Sequence, residues 1–288
     1  MRRFLCVGIW ILLFTFVAVS SNAASIGGPD TQGKGKFSLG LDQDYVFNRD
    51  LKASSSSIDT VVATQATDGS VKISGLINCK TKLENMYRTM VKASYGLLNN
   101  LDVYLKLGTA AGQGKNSYSG SVDFLDPYSL NTGTASIGGG SKLKTSNAFA
   151  YGFGLKGKYD LPHGWFVGAD AQYLRHTNSY TSSGSLMLTD NETSESVSSD
   201  FSSKGRLVIQ EWQFAPYIAK KIKNFTPYLG VKYSDFRVND VGSGTSRAKN
   251  NFGVFGGLSY KLKDHISLNL EGRFIDETAM TCSIGYKF

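Results

Sequence analysis

Histidines and carboxylates are the first place to look for acid–base chemistry in this chain. His176 is close in sequence to Asp170, a combination that could share a proton. His163 and His265 fall in short polar turns, where a solvated ring is the ordinary reading. Residues 28–34 (GPDTQGK) have the glycine–lysine spacing of a phosphate loop, but Gly35 stands where Ser or Thr is needed and no strand precedes them. Gly108 and Lys115 are one residue too far apart for the same motif, so both segments read more simply as flexible polar chain. Asp190, Glu192, Glu195 and Asp200 match no EF-hand loop and read as a solvated acidic loop. Cys79 and Cys282 would need Cα atoms within about 7 Å to form a disulfide, which an outward-facing Cys282 makes unfavourable. These groups define no catalytic residue, no metal site and no cofactor site.

A second set of charged residues is spaced regularly. Asp42, Asp44, Arg88, Lys92, Asp102, Lys106, Lys156, Asp170, Glu211, Lys232, Glu271 and Arg273 each take the opposite parity to apolar neighbours, the period of a β-strand with one polar face. In 267–275, Leu268, Leu270, Gly272 and Phe274 alternate with Asn269, Glu271 and Arg273. The same rhythm runs through 252–262, 227–234, 206–220, 165–173, 149–159, 101–107, 87–95 and 37–47, and it closes on Met280, Cys282, Ile284, Tyr286 and Phe288. That makes ten strands; a further candidate at 71–76 leaves eight or twelve open.

Connections alternate between short turns (96–100, 161–164, 221–225 and 263–265) and long polar stretches (48–82, 111–147, 177–204 and 237–250), with a very short link near 276–278. On the 165–173 strand, Trp165 and Tyr173 bracket Val167, Ala169 and Ala171. At about 3.3 Å per residue and a tilt of about 40°, they lie roughly 20 Å apart along a membrane normal. Tyr95, Tyr159, Trp165, Tyr286 and Phe288 would mark one aromatic girdle, and Tyr45, Tyr87, Tyr151, Trp212, Tyr233 and Phe274 the other. A secreted β-sandwich would also alternate, but it gives no reason for aromatics at both ends of each stripe or for a terminal Phe.

The N-terminus reads as an export signal: Arg2 and Arg3, an apolar run to Val19, and a small-residue cleavage site at Ser21-Asn22-Ala23. Cys6 lies too early in that run to be a lipoprotein cysteine. The net charge of +8, about +6 without Arg2 and Arg3, is spread along the chain and gives no nucleic-acid footprint. Beyond the leader, no apolar stretch reaches the roughly 20 residues of a helical span.

With its terminal Tyr286-Lys287-Phe288, this pattern resembles the bacterial outer-membrane β-barrel (porin-like) family over nearly the whole mature chain. The resemblance implies an all-β, transmembrane, antiparallel up-and-down barrel of about ten strands. Residues 1–23 would be the signal peptide, 24–35 a short periplasmic segment and 36–288 the barrel. It also implies outer-membrane lipid and lipopolysaccharide as surroundings, and Tyr286 and Phe288 as the assembly signal read by the barrel-insertion machinery. Asp42, Arg88, Lys106, Lys156, Asp170, Glu211, Lys232, Glu271 and Arg273 would then form a lumen charge network. It reads either as an ion-paired plug or as the lining of a narrow channel, with luminal glycines (152, 154, 168, 230, 253 and 257) leaving room for water. Porin-like passage of small polar solutes, without enzymatic activity, is the leading expectation. The alternative is a plugged barrel acting through its outer loops. A third reading is an enzyme with its site at the extracellular rim near His176, where some outer-membrane proteases and lipid-modifying enzymes place a histidine.

Overall fold

The computed structural model describes residues 25–64, 69–125, 132–192, 194, 196–241 and 244–288. The expected leader, 1–23, lies outside them. In chain order the strands are β1 (Phe37–Asp50), β2 (Ser54–Thr64), β3 (Gly69–Leu98), β4 (Leu101–Leu125), β5 (Thr132–Thr145), β6 (Ala148–Asp160) and β7 (Trp165–Asp190). They continue as β8 (Ser196–Lys220), β9 (Phe225–Asp240), β10 (Gly244–Arg247), β11 (Phe252–Lys263), β12 (Ile266–Phe274) and β13 (Thr278–Lys287).

Ten of these close an antiparallel ring: β1, β3, β4, β6, β7, β8, β9, β11, β12 and β13. The seam is β1 against β13, in register from Ser38 opposite Lys287 to Val46 opposite Ala279. The main chain carries the seam to the last residue, where Phe288 N donates to Phe37 O (2.9 Å) and the two rings lie 5.8 Å apart.

Alternation along each strand sorts side chains by polarity in the inverse of a soluble protein. On β6, Phe149, Tyr151, Phe153 and Leu155 face outward and are exposed, whereas Ala150, Gly152, Gly154 and Lys156 face inward and are buried. Across the ring Leu229, Val231, Phe214 and Leu270 lie open outside while Asp170, Glu211, Lys232 and Arg273 are sealed inside. A continuous apolar outer belt of this extent is incompatible with water. It also rules out a sandwich.

The long polar stretches are mostly not loops. β3 has 30 residues, β7 has 26 and β4 and β8 have 25 each, whereas about 10 suffice to cross a membrane. These strands run on past the belt as hairpins, joined by β2 on β3 and β10 on β9. β4 pairs with β6 as far as Ala110 and with β5 from Gln113 onward, so β5 takes over the place of β6 beyond the belt. The 71–76 candidate is part of β3, not an eleventh ring strand. Ser/Thr/Gly alternation is too weakly apolar to read as strand, but an antiparallel ladder extends through it because its hydrogen bonds are main-chain ones.

Candidate functional site: the filled lumen

The inward faces meet in three layers. Furthest toward the long-hairpin end is an apolar cluster drawn from facing walls, including Val46, Leu83, Met86, Ile209, Phe236 and Val238.

Beneath it lies an ion network. The Arg49 guanidinium donates to Glu211 Oε1 (3.0 and 3.1 Å), Ser234 Oγ (3.2 Å) and Asp276 Oδ2 (3.0 Å), lies 3.3 Å from Glu277 Oε2, and stacks 4.3 Å from the Phe236 ring. Arg88 takes the other oxygen of Glu211 (3.2 Å). Arg273 reaches Asp44 (3.1 Å), Glu271 (2.9 Å) and Glu277 (3.1 Å), and Lys232 pairs with Asp276 (2.9 Å) and with Glu277. Thr281 donates to Asp44, and Tyr228 OH to Glu271 Oε2 (3.2 Å). Four cations and five carboxylates thus interlock with almost no exposure. Charges this deep are tolerable only when paired and hydrogen-bonded.

The third layer, at the short-turn end, is built around residues 25–30. Rather than lying free outside the barrel, this segment enters the lumen, with Ile26 fully buried among Phe166, Tyr217, Tyr228 and Phe255. An irregular segment there needs partners for its main chain, and side chains of the wall supply them. Lys106 Nζ donates to Ser25 O (2.8 Å), Lys92 Nζ to Ile26 O (3.3 Å), and Lys156 Nζ to Ile26 O and Gly28 O (the latter 2.5 Å). Tyr217 OH donates to Pro29 O (2.7 Å), and Gln32 N to the Asp102 carboxylate (2.9 and 3.1 Å). Lys106 also pairs with Asp42 (3.2 Å), and Tyr104 OH donates to Asp170 Oδ1 (2.7 Å). A cavity of about 120 Å3 remains below, touching Asp42, Lys92 and Lys156.

The luminal glycines do not hold water space open. Neighbouring groups fill the room they leave, aromatic rings at four of the six: a Cβ on Gly154 would meet Tyr104 Cζ at 2.5 Å, and one on Gly168 would meet Tyr217 Cζ at 2.5 Å.

The outer membrane protein beta-barrel domain model matches residues 128–288, more than half of the chain. The chain belongs to the outer-membrane β-barrel family. In such barrels the short turns face the periplasm and the long hairpins the outside. No curated protein sequence matches it. Among solved structures it is similar to the outer membrane protease OmpT from Escherichia coli (13% identity, 93% of this chain, 100% of that one, TM-score 0.47). It is also similar to the toluene transporter TbuX from Ralstonia pickettii (14%, 93% and 96%, 0.32) and to OprG from Pseudomonas aeruginosa (12%, 90% and 99%, 0.24).

Within this outer-membrane barrel, the structure divides the nine charged residues singled out from sequence. Arg88, Glu211, Lys232, Glu271 and Arg273 lie in the ion network; Asp42, Lys106, Lys156 and Asp170 lie around the N-terminal segment. Sequence reasoning missed Arg49, Asp276 and Glu277. Asp276 and Glu277 occupy the short link between β12 and β13, where Ile275 takes a positive φ of 84° and both carboxylates are buried. Two acids in a link that short, beside strands already rich in inward cations, were the one available signal.

His176 is not at a rim. β7 continues to Asp190, and the imidazole is buried with Nδ1 2.5 Å from Asn178 Oδ1, while the Asn178 amide donates to Ala110 O (2.8 Å). His163 sits in the 162–164 turn at φ 60°, and His265 Nδ1 lies 2.9 Å from Lys287 O. Cys79 and Cys282 are both free thiols. Among the described residues, no cluster of His, Cys, Asp or Glu could hold a metal.

Asp30, at the periplasmic mouth, gives a pH test of the segment's seating. Burial alone would raise its pKa, but Lys261 (3.2 Å) and Lys158 (3.5 Å) outweigh that and hold it below the ordinary 3.8. A carboxylate with a lowered folded-state pKa stabilises above its ordinary value, and the contribution disappears as pH falls through the lowered one. Protease protection of residues 25–35 should therefore be flat from pH 7 to about 5 and weaken below about pH 4. In Asp30→Asn the acid step should be missing; a step of unchanged size would assign it to another group.

Proposed function

We propose that this protein is a closed outer-membrane barrel whose working surface is the polar sheet raised outside the membrane by β2 to β5, β7 and β8, and that it acts by contact with partners there. The observation that carries this reading is the buried network from Asp44 through Arg273, Glu277, Lys232, Asp276, Arg49 and Glu211 to Arg88, which crosses the lumen from wall to wall. An apolar layer above it and the 25–30 segment below it support the same reading. Export by the 1–23 leader and recognition of Tyr286 and Phe288 by insertion machinery belong to this proposal, as does contact of the aromatic girdles with lipid and lipopolysaccharide.

Porin-like passage of small polar solutes is the second reading, favoured by the 120 Å3 cavity and by the five lysines that line it. Burial of His176 removes the sequence argument for an enzyme at the rim. Planar-bilayer recording of the purified full chain separates the first two. A closed barrel should give no conductance steps above background at any voltage. Reproducible unitary steps from the wild-type protein would sink the closed reading and favour the channel.

A further inference from the structure

The outer face carries a feature that the lumen does not explain. On three neighbouring strands, one row of outward positions is short: Gly157 lies opposite Ala169, and Ala169 opposite Pro216. The row above places Ala171 between Leu155 and Phe214. Flanking side chains are long and exposed, Tyr159, Phe214, Ile218 and Leu229 among them. The result is an apolar indentation of about 840 Å3 in the belt, on its periplasmic half. Pro216 deepens the break: the β8–β9 register runs from Phe214 opposite Tyr233 straight to Tyr217 opposite Gly230, with 215 and 216 unpaired. A proline cannot donate to that ladder and is unusual in a central strand.

Directly below the indentation the chain turns basic. Lys220 is two residues beyond Ile218 on the same outward face, about 7 Å along the strand, and its Nζ lies 4.9 Å over the Trp165 ring. Lys221 and Lys223 are exposed in the adjoining turn. Among the described residues none of these three lysines makes a direct ion pair, although the charge of Lys221 reaches Asp30 at the lumen mouth, and the nearby Asp160 is engaged by Lys158 (3.2 Å). An apolar slot in the membrane's hydrocarbon, ending at exposed cations at headgroup depth, complements the polarity and charge of one anionic amphiphile.

We propose that this slot is a binding site for one anionic phospholipid of the periplasmic leaflet. An acyl chain lies across Ala169, Ala171 and Pro216, and the phosphate lies between Lys220 and the 221–223 turn. Apolar burial holds the chain, and the cations select headgroup charge.

The test uses the full chain in detergent, supplied separately with phosphatidylglycerol and phosphatidylethanolamine, with retained lipid counted by native mass spectrometry. Wild type should keep one phosphatidylglycerol after other lipid is stripped. Lys220→Gln should reduce the preference for phosphatidylglycerol over phosphatidylethanolamine about fivefold, the effect of about one interfacial lysine. Ala169→Phe, which adds an apolar ring on a lipid-facing surface, should abolish retention of both lipids while the barrel stays folded by gel mobility. Equal retention in wild type and Ala169→Phe overturns the site. Retention of lipopolysaccharide instead, or a dimer that Ala169→Phe dissociates, overturns the choice of occupant.

Discussion

Replacing Arg273 with alanine should cost about 3–5 kcal/mol of stability, the range seen when one partner of a buried ion pair is removed. The side chain is fully buried, and its loss leaves Asp44, Glu271 and Glu277 facing one another with one cation fewer. Urea unfolding in detergent, followed by the fluorescence of Trp165 and Trp212, measures it. Arg237→Ala is the comparison, because the Arg237–Asp235 pair is partly exposed and solvent screens it. That variant should unfold where wild type does. If Arg273→Ala did the same, the network would be an arrangement of charges already hydrated from within, and the closed lumen would lose its main support. Arg273→Gln should fall between them, since an amide can donate to Asp44 but carries no charge to balance three acids.

Ile26→Asp should expel the N-terminal segment. Ile26 is fully buried among aromatic rings, and Glu271, within hydrogen-bond reach of Tyr228 in that cluster, would repel a second carboxylate. A carboxylate placed among those rings loses its hydration at a cost of several kcal/mol, and the apolar burial of Ile26 is lost with it. Protease added from the periplasmic side should then cleave within residues 25–35 at least about tenfold faster than in wild type, while the barrel itself stays folded. Thr31→Ala, which loses only an exposed hydrogen bond to Asn99 O, should leave the rate unchanged. Protection that survived Ile26→Asp would place the segment's anchor elsewhere.

The barrel was legible in sequence because each ring strand carries a two-residue period over at least seven positions, and because apolar-out, polar-in gives every strand the same signature. Strand ends were not legible. The apolar stripe of β7 stops at Tyr173, yet its ladder with β8 continues to Thr189 opposite Ser196. Main-chain hydrogen bonding is indifferent to side chains once two strands are in register, so Ser, Thr and Gly extend a hairpin that hydrophobicity ends. The luminal residues were legible strand by strand, because parity fixes the face. Their grouping was not: Asp44 meets Arg273, 229 residues away, only through ring closure. Arg49, Asp276 and Glu277 lie where the period gives out, and residues 25–30 have none.

The seam between β1 and β13 has a consequence for the order in which this barrel can assemble. Asp44 stands on one side of it and both Arg273 and Thr281 on the other, and residues 25–35 lead directly into β1. Until the first and last strands zip together, Asp44 lacks both Arg273 and Thr281, and Arg273 keeps only Glu271 and Glu277 from its own side of the seam. Bare hydrocarbon does not tolerate such a species, nor an open sheet edge. Sealing the ring and completing its charge network are therefore one event. A chain stalled one strand short of completion has no resting place in the bilayer.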